Sequence, residues 1–562
     1  MRRSPSSVVR VSMLAGAALV LVLAAAACGG SSKSSSGQTT GTTTTAKAPA
    51  STSQTLQIAS ASTDVDYSDP ALAYGVLSWE IEYSTCSKLV NYSDVGGVAS
   101  NVLSPDAAEG LPVISSDGKT YTFTIRSGIK FSNGAPLTAN SFKAAMDRDA
   151  NPKMNSPVDA FMTDVVGWND VVNKKATTIK GVTVNGNKLT IKLTEKDGGL
   201  IDKLAMPFFC AIDPKTTPVD PQGVKTPAGS GPYYIAARTV GKQLVMKRNP
   251  YYKGNRPHRA AQIVFTMNTD PQQTYLQISK GTYVTDPNGL DNPAQAATLA
   301  KKYGVNKTRF FIHPTPETDY VALNTTRPAF GSANARKAAN YAIDRPALLR
   351  VFGFGGGKLT TAILPPSLTG GVDVSNPYPL KAVDLKKAKA LLGGKPCGNV
   401  DLWYQTGPVG TPQAGIFAYD LKQLGCNVTQ KPYQGYAMYT AAGVKGAPFD
   451  AAMSGWYQDY ADGYDFFHIL LDGRAIAGSN NNNLAYFNEP SVNAKIDAAN
   501  ELTGTARSQA WGNLDNYTMS NYAPWASMDN RNVRDYVGPN VAGYLFLPAY
   551  GAMDLSTLYL NK

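Results

Sequence analysis

SSDGKTYTFTIRSGIKFSNGAPLTANSFKAAMDR, residues 115 to 148, sets a turn, a strand and a capped helix within one short stretch. Asp117-Gly118 is a hairpin turn signal, because glycine takes the positive φ that such turns need. Beyond it, Lys119 to Arg126 (KTYTFTIR) alternates with period two, which predicts a strand with one buried face. Thr138 to Met146 (TANSFKAAM) opens on a capping residue and continues with helix formers, so it reads as a helix. The combination points to a mixed α and β architecture.

Working outward, Gly181 to Val184 and Leu189 to Leu193 read as a second hairpin turning at Asn185-Gly186. Gln243 to Arg248 and Gln262 to Phe265 are further strands. From about Ala333 the pattern changes to alternation: helices at 334–341, 385–392 and 415–424, with strands at 400–404 and 427–431. A β-rich first half followed by an α/β second half implies at least two lobes. No internal repeat is visible.

Residues 11 to 30, VSMLAGAALVLVLAAAACGG, say where the protein works. Arg2, Arg3 and Arg10 form a basic region, an apolar run follows from Met13 to Ala27, and small residues end at Cys28. That order is a secretory leader over residues 1–27. A cysteine directly after alanines resembles the bacterial lipoprotein signal, which implies cleavage before Cys28 and a diacylglycerol on its thiol. Ala25 stands where that signal usually has leucine. The competing reading is a membrane span, and Val11–Ala27 lies at its lower length limit. A span gives no reason for a cysteine at its outer edge. Residues 28–54 are the lipidated Cys28 and a Ser/Thr/Gly tether with almost nothing apolar to bury. Such a tether reaches roughly 25–30 Å. One acyl chain anchors only marginally, so two or more are needed. The expected location is the outer face of the cell membrane.

The remainder is too long for one simple core. The formal charge of +12 is spread over 562 residues, with no basic run interleaved with aromatics, so nucleic acid is not an expected partner. No second long apolar segment follows the leader, which argues against a multi-span transporter subunit.

Apart from Cys28, the cysteines are Cys86, Cys210, Cys397 and Cys426. An even number in an exported chain suggests two disulfides, with three pairings open. Cys397–Cys426 is favoured, because each cysteine precedes a strand of one βαβ unit and both strand starts lie on one edge. Cys86–Cys210 follows by elimination. Buried free thiols are the alternative. Zinc is disfavoured, since no pair has C-x-x-C spacing and no histidine lies near a cysteine in sequence.

Several segments in order resemble the extracellular solute-binding proteins of ABC importers, of the large dipeptide/oligopeptide type (family 5). They are residues 115–148 quoted above; GSGPYYIAARTVGKQLVMKRNPYYKGNRP (229–257); ALNTTRPAF with ARKAANYAIDRPALL (322–349); DLKKAKALL (384–392); and GWYQDYADGYDFF (455–467). The resemblance implies an α/β, two-lobed periplasmic-binding-protein-like fold with mixed sheets and an extra β-rich subdomain in lobe I, at about 80–210. Lobe I would hold 55–312, lobe II 313–524, and 525–562 would return to lobe I. Solute would enter between the lobes, which close over it, and an ABC permease with its ATPase would take it up. The protein would act as a monomer, without cofactor or metal.

In peptide-binding relatives an aspartate of the W-x-x-D-Y stretch pairs with the ligand's α-ammonium, a position that falls on Asp459. Trp456, Tyr457 and Tyr460 would supply apolar walls with polar tips. Asp462-Gly463 departs from the Asp-Pro often found after this stretch. Relatives that bind other solutes keep the D-Y pair too, so oligosaccharides, metal chelates and other small solutes stay open beside short peptides. Asp459 as a plain helix cap or loop-ordering residue is the structural alternative. SNNNNLAYFN (479–488) resembles a second cleft-bordering loop, or reads simply as an exposed polar loop.

Catalytic patterns are weak. His258, His313 and His468 form no ligand motif. Ser116-Asp117-Gly118-Lys119 matches S-x-x-K, but the serine sits at a hairpin turn rather than a helix start, and no K-T-G partner exists. Gly353 to Lys358 lacks the first glycine and the Ser/Thr of a P-loop. Asp450, Asp459 and Asp462 carry no spacing that marks a glycosidase pair. The expectation is non-catalytic solute capture, with a hydrolase or sensor on the same fold as the different-class alternative.

Overall fold

In the computed structural model, residues 52–96 and 101–561 are described. The leader, Cys28 and residues 29–51 of the expected tether lie outside the described residues. The end of that tether belongs to the folded body: the Thr52 amide donates to Arg259 O at 2.7 Å, and Gln54 Nε2 donates to Leu560 O at 2.7 Å.

The opening stretch forms the elements its pattern predicts. The Thr120–Thr124 strand alternates half-buried and buried side chains and pairs with Val113–Ile114 across the Asp117-Gly118 turn. Lys188–Lys192 and Val182–Asn185 complete a four-stranded antiparallel sheet. Asn185 pairs with Lys188, so the turn is centred on Gly186-Asn187, one residue later than expected. Gly186, at φ +59°, occupies the left-handed position. The Ala139–Asp149 helix packs on this sheet and starts with a capping box between Thr138 and Ser141.

A second sheet has the order 55–61, 262–269, 243–248, 233–239, with the first pair parallel and the others antiparallel. Its core holds Leu56, Ile58, Ile263 and Phe265 together with Met553, Leu555 and Leu558 from the chain's end. The chain's end thus packs against the strands of this sheet.

The largest sheet runs 310–314, 525–536, 317–323, 451–457, 398–405, 426–433, with 357–359 added beside 525–536. Its last pairs are parallel and the rest antiparallel, so it too is mixed. The Trp525–Tyr536 strand has two halves. Trp525–Asp529 pair with residues 319–322 deep in this sheet, and Asn532–Tyr536 pair with Phe310–Pro314. The positions expected to divide the lobes, 313 and 525, thus fall within two neighbouring strands of the same sheet.

Cys397 and Cys426 are joined by a disulfide, Cα atoms 4.8 Å apart. Gly398 and Cys426 are register partners of the parallel pair 398–405 and 426–433, which brings the two strand starts together. Cys86 and Cys210 form the other disulfide, with a Cα separation of 5.6 Å. Cys86 ends the Val76–Thr85 helix and Cys210 follows the short turn of helix Pro207–Phe209, so this bond ties the helix foot to the first half. Among the described residues no helix is long and apolar enough to cross a membrane.

Candidate functional site

Two adjoining chambers of about 730 and 800 Å³ share Leu77, Glu80, Glu317, Tyr439, Tyr457 and Ala552 in their walls. One wall is the start of the Val76–Thr85 helix, where Val76, Leu77 and Glu80 face the cavity. Asp66 fixes that start by accepting from the Tyr74 and Gly75 amides, each at 2.8 Å. The opposite wall is the large sheet's 317–323 and 451–457 pair, continued by Gln458 and Asp459.

The expected site residues divide. Trp456, Tyr457 and Asp459 line the larger chamber, along with Tyr74, Asn481 and Asn482. Asn481 and Asn482 belong to the 479–488 loop, which therefore borders the cavity. Tyr460 does not line it. It is 1 % exposed and turned to the interior, its ring meeting Phe161 edge-on at 6.1 Å. The strand ends at Tyr457, and in the bend that follows Asp459 lines the chamber while Tyr460 is buried against Phe161.

Asp459 is held from both sides. Tyr74 Oη donates to its carboxylate at 2.9 Å, and its own amide donates to Asp465 Oδ2 at 2.9 Å. The same Asp465 oxygen accepts from Trp456 Nε1 at 3.1 Å, so one carboxylate orders both the tryptophan and the aspartate. Burial pushes the Asp459 carboxyl up to about 7, with the Tyr74 hydrogen bond opposing. Burial, and then the charge of Asp459, raises Asp465 as well. A carboxyl raised by desolvation is stabilised in its ionised form by an arriving cation.

Tyr457 Oη donates to Tyr550 O at 2.8 Å. This approach requires Gly551, which sits at φ +57°, because a Cβ there would collide with the Tyr457 hydroxyl. Gly463 is explained in the same way. A Cβ at that position would run into Trp511, while Asp462 caps the Gly463–Leu471 helix and pairs with Arg507 at 2.7 Å. The Asp-Gly departure thus accommodates the tryptophan beneath it.

On the sheet wall, the Arg531 guanidinium forks onto Asp319, its NH2 at 3.0 Å from Oδ1, and approaches Glu317 at 3.8 Å. Gly455 leaves room for Asp319 in this arrangement. The histidines lie elsewhere: His258 Nδ1 is 3.0 Å from Arg256 O, His313 stacks on Phe546 at 4.3 Å, and His468 meets Asp472 at 3.2 Å. Among the described residues no group of three or more His, Cys, Asp or Glu side chains is arranged to hold a metal ion.

The model of the bacterial extracellular solute-binding proteins, family 5, matches residues 102–478. The chain belongs to this family. It is an extracytoplasmic solute-binding protein by that membership. The periplasmic oligopeptide-binding protein OppA of Salmonella typhimurium LT2 is 25% identical over 520 residues, covering 83% of this chain and 90% of the relative. Heme-binding protein A of Haemophilus influenzae Rd is 25% identical over 526 residues, covering 89% and 92%. Among solved structures, a clavulanic acid biosynthesis oligopeptide binding protein 2 superposes with a TM-score of 0.82 at 25% identity, covering 91% of this chain and 96% of that one. The two-lobed periplasmic-binding-protein-like α/β fold is that of these relatives.

Tyr74, Glu80, Glu317 and Asp465 were not singled out by sequence reasoning. Tyr74 lies 385 residues from Asp459 in the chain, and no local pattern joins them. Asp465 was within reach, as an acidic residue inside the first turn of a helix following the W-x-x-D-Y stretch.

Proposed function

We propose that this protein captures short peptides outside the cell and delivers them to an ABC permease and its ATPase. The observation that carries this reading is Asp459: an aspartate on the cavity wall, flanked by Trp456 and Tyr457 and backed by Asp465, is suited to a desolvated α-ammonium group. The oligopeptide-binding names of two of the relatives above support it. Lobe I, about residues 55–312 with the C-terminal return, and lobe II, about 313–524, would close about the paired segments 310–314 and 532–536. Only contacts that the ligand makes in the closed form can drive such closure. The protein would work as a monomer without turnover, tethered through a lipid on Cys28.

The test is native mass spectrometry of purified exported protein, followed by thermal-shift screening of tripeptides and oligosaccharides. Peptides should raise Tm with saturation, and Asp459→Asn should abolish that rise. A shift with sugars and none with peptides would overturn the peptide assignment. Conversion of bound ligand to products would overturn the non-catalytic one.

A further inference from the structure

The cavity carries more carboxyl groups than one ammonium requires. Glu80 is 4 % exposed, lies on the wall of both chambers, and has an Oε1 atom with no hydrogen-bond partner among the described residues. Facing the same space is Glu317, whose only ion-pair contact among the described residues is the 3.8 Å approach of Arg531. The cavity's arginines are already engaged. Arg531 is forked on Asp319, and Arg534 donates to the carbonyls of Phe352 at 2.8 Å, Phe354 at 3.2 Å and Asp291 at 3.0 Å. An unpaired buried carboxylate is costly unless a cation joins it.

The geometry points to a second cation subsite: Glu80 and Glu317 receive a lysine, arginine or other ammonium group of a ligand whose first amine sits on Asp459. Glu317 is the register partner of Tyr457, and Asp459 lies two residues beyond it. The Cα atoms of the two acidic positions are therefore within about 13 Å, which a basic residue at or next to the N-terminus can bridge. Burial raises the Glu80 carboxyl, with Asp535, Asp286 and Asp554 adding to it, and burial lifts Glu317 to about 7. Both are directions that an incoming cation reverses. The inference rests on reading this cavity as the solute site.

The test uses isothermal titration of the exported protein with two probe series. One is trialanine with lysine or its uncharged isostere norleucine at each position in turn. The other is cadaverine against n-pentylamine. Lysine should bind at least about tenfold tighter than norleucine at one position, with more protons released on binding. Glu80→Gln should bring the ratio to within about twofold. Glu317→Gln provides the same readout should the first variant fold poorly. Equal lysine and norleucine affinities at every position, or a ratio untouched by both variants, would overturn the subsite while peptide binding stands. Preference for cadaverine over pentylamine without any tripeptide binding would retain the subsite and overturn the peptide reading. Failure of both series to bind would overturn both.

Discussion

The amide of Asp459 donates to the side chain of Asp465 at 2.9 Å, and Trp456 Nε1 reaches the same oxygen at 3.1 Å. A carboxylate six positions downstream thereby sets both the apolar wall and the charged end of the cavity. Asp465 is buried and both hydrogen bonds are partly so, so removing it leaves two donors unsatisfied, each costing up to about 1–3 kcal/mol.

Asp465→Ala should therefore lower apo Tm and weaken peptide binding together, whereas Asp465→Asn, which keeps an acceptor oxygen, should restore much of both. Thermal melts and titration of the two variants check this. Equal loss in both would mean that the charge, and not the acceptor, is what matters.

Asp459 should give stability and binding opposite pH dependences. Its carboxyl is pushed up to about 7 in the folded protein, against about 3.9 in an unfolded chain. The folded state thus holds the proton more tightly. The stabilisation is complete below about pH 4 and is lost as pH rises through 7. Relative to Asp459→Asn, the wild type should lose apo Tm between pH 4 and 7. Affinity for a peptide amine should rise over the same interval as the carboxylate forms, then fall once the α-ammonium deprotonates near pH 8. Asp459→Asn should cost roughly 100-fold or more in affinity, as for breaking a buried ion pair.

The two disulfides should differ in weight. Cys397–Cys426 spans 29 residues and Cys86–Cys210 spans 124. The chain-entropy model assigns about 3.6 and 4.9 kcal/mol respectively. Denaturant unfolding of Cys→Ala pairs should show both losses, the larger for Cys86/Cys210. Only that second pair should also weaken ligand binding, since Cys86 ends the helix that carries Glu80 to the cavity.

Gly551→Ala should expel the Tyr457 hydroxyl from its place against Tyr550 O, a 2.8 Å hydrogen bond, and add strain at φ +57°. A loss of about 1–3 kcal/mol in stability is expected, with weaker ligand binding. Tyr457→Phe combined with Gly551→Ala should recover part of the stability, because the nearest colliding atom is gone. The recovery is only partial, because Pro316 Cδ and the ring carbon at position 457 still crowd the new methyl.

Cys28→Ser should move the protein from the membrane fraction to the medium, or leave the leader uncleaved. Fractionation and intact mass check this. A processed form that stays on the membrane would contradict the lipid anchor.

Local patterning determined most of the elements. Period-two runs became the 120–124 and 188–192 strands, the Gln243–Arg248 strand has its expected limits, and the βαβ pattern brought Cys397 to Cys426. Those readings depend on neighbours in the chain, where side-chain period and turn chemistry act directly. Family resemblance, and not local period, pointed to Asp459, Trp456, Tyr457 and Tyr460 in the W-x-x-D-Y stretch, of which the first three line the cavity. Tertiary structure decided the rest. It turned Tyr460 inward against Phe161, brought Tyr74 across 385 residues to Asp459, and set Glu80 on a helix facing Glu317 on a sheet. Whether an acidic side chain is solvated, paired or left facing a cavity depends on what packs around it. That environment is built from segments hundreds of residues apart, and no local period encodes it.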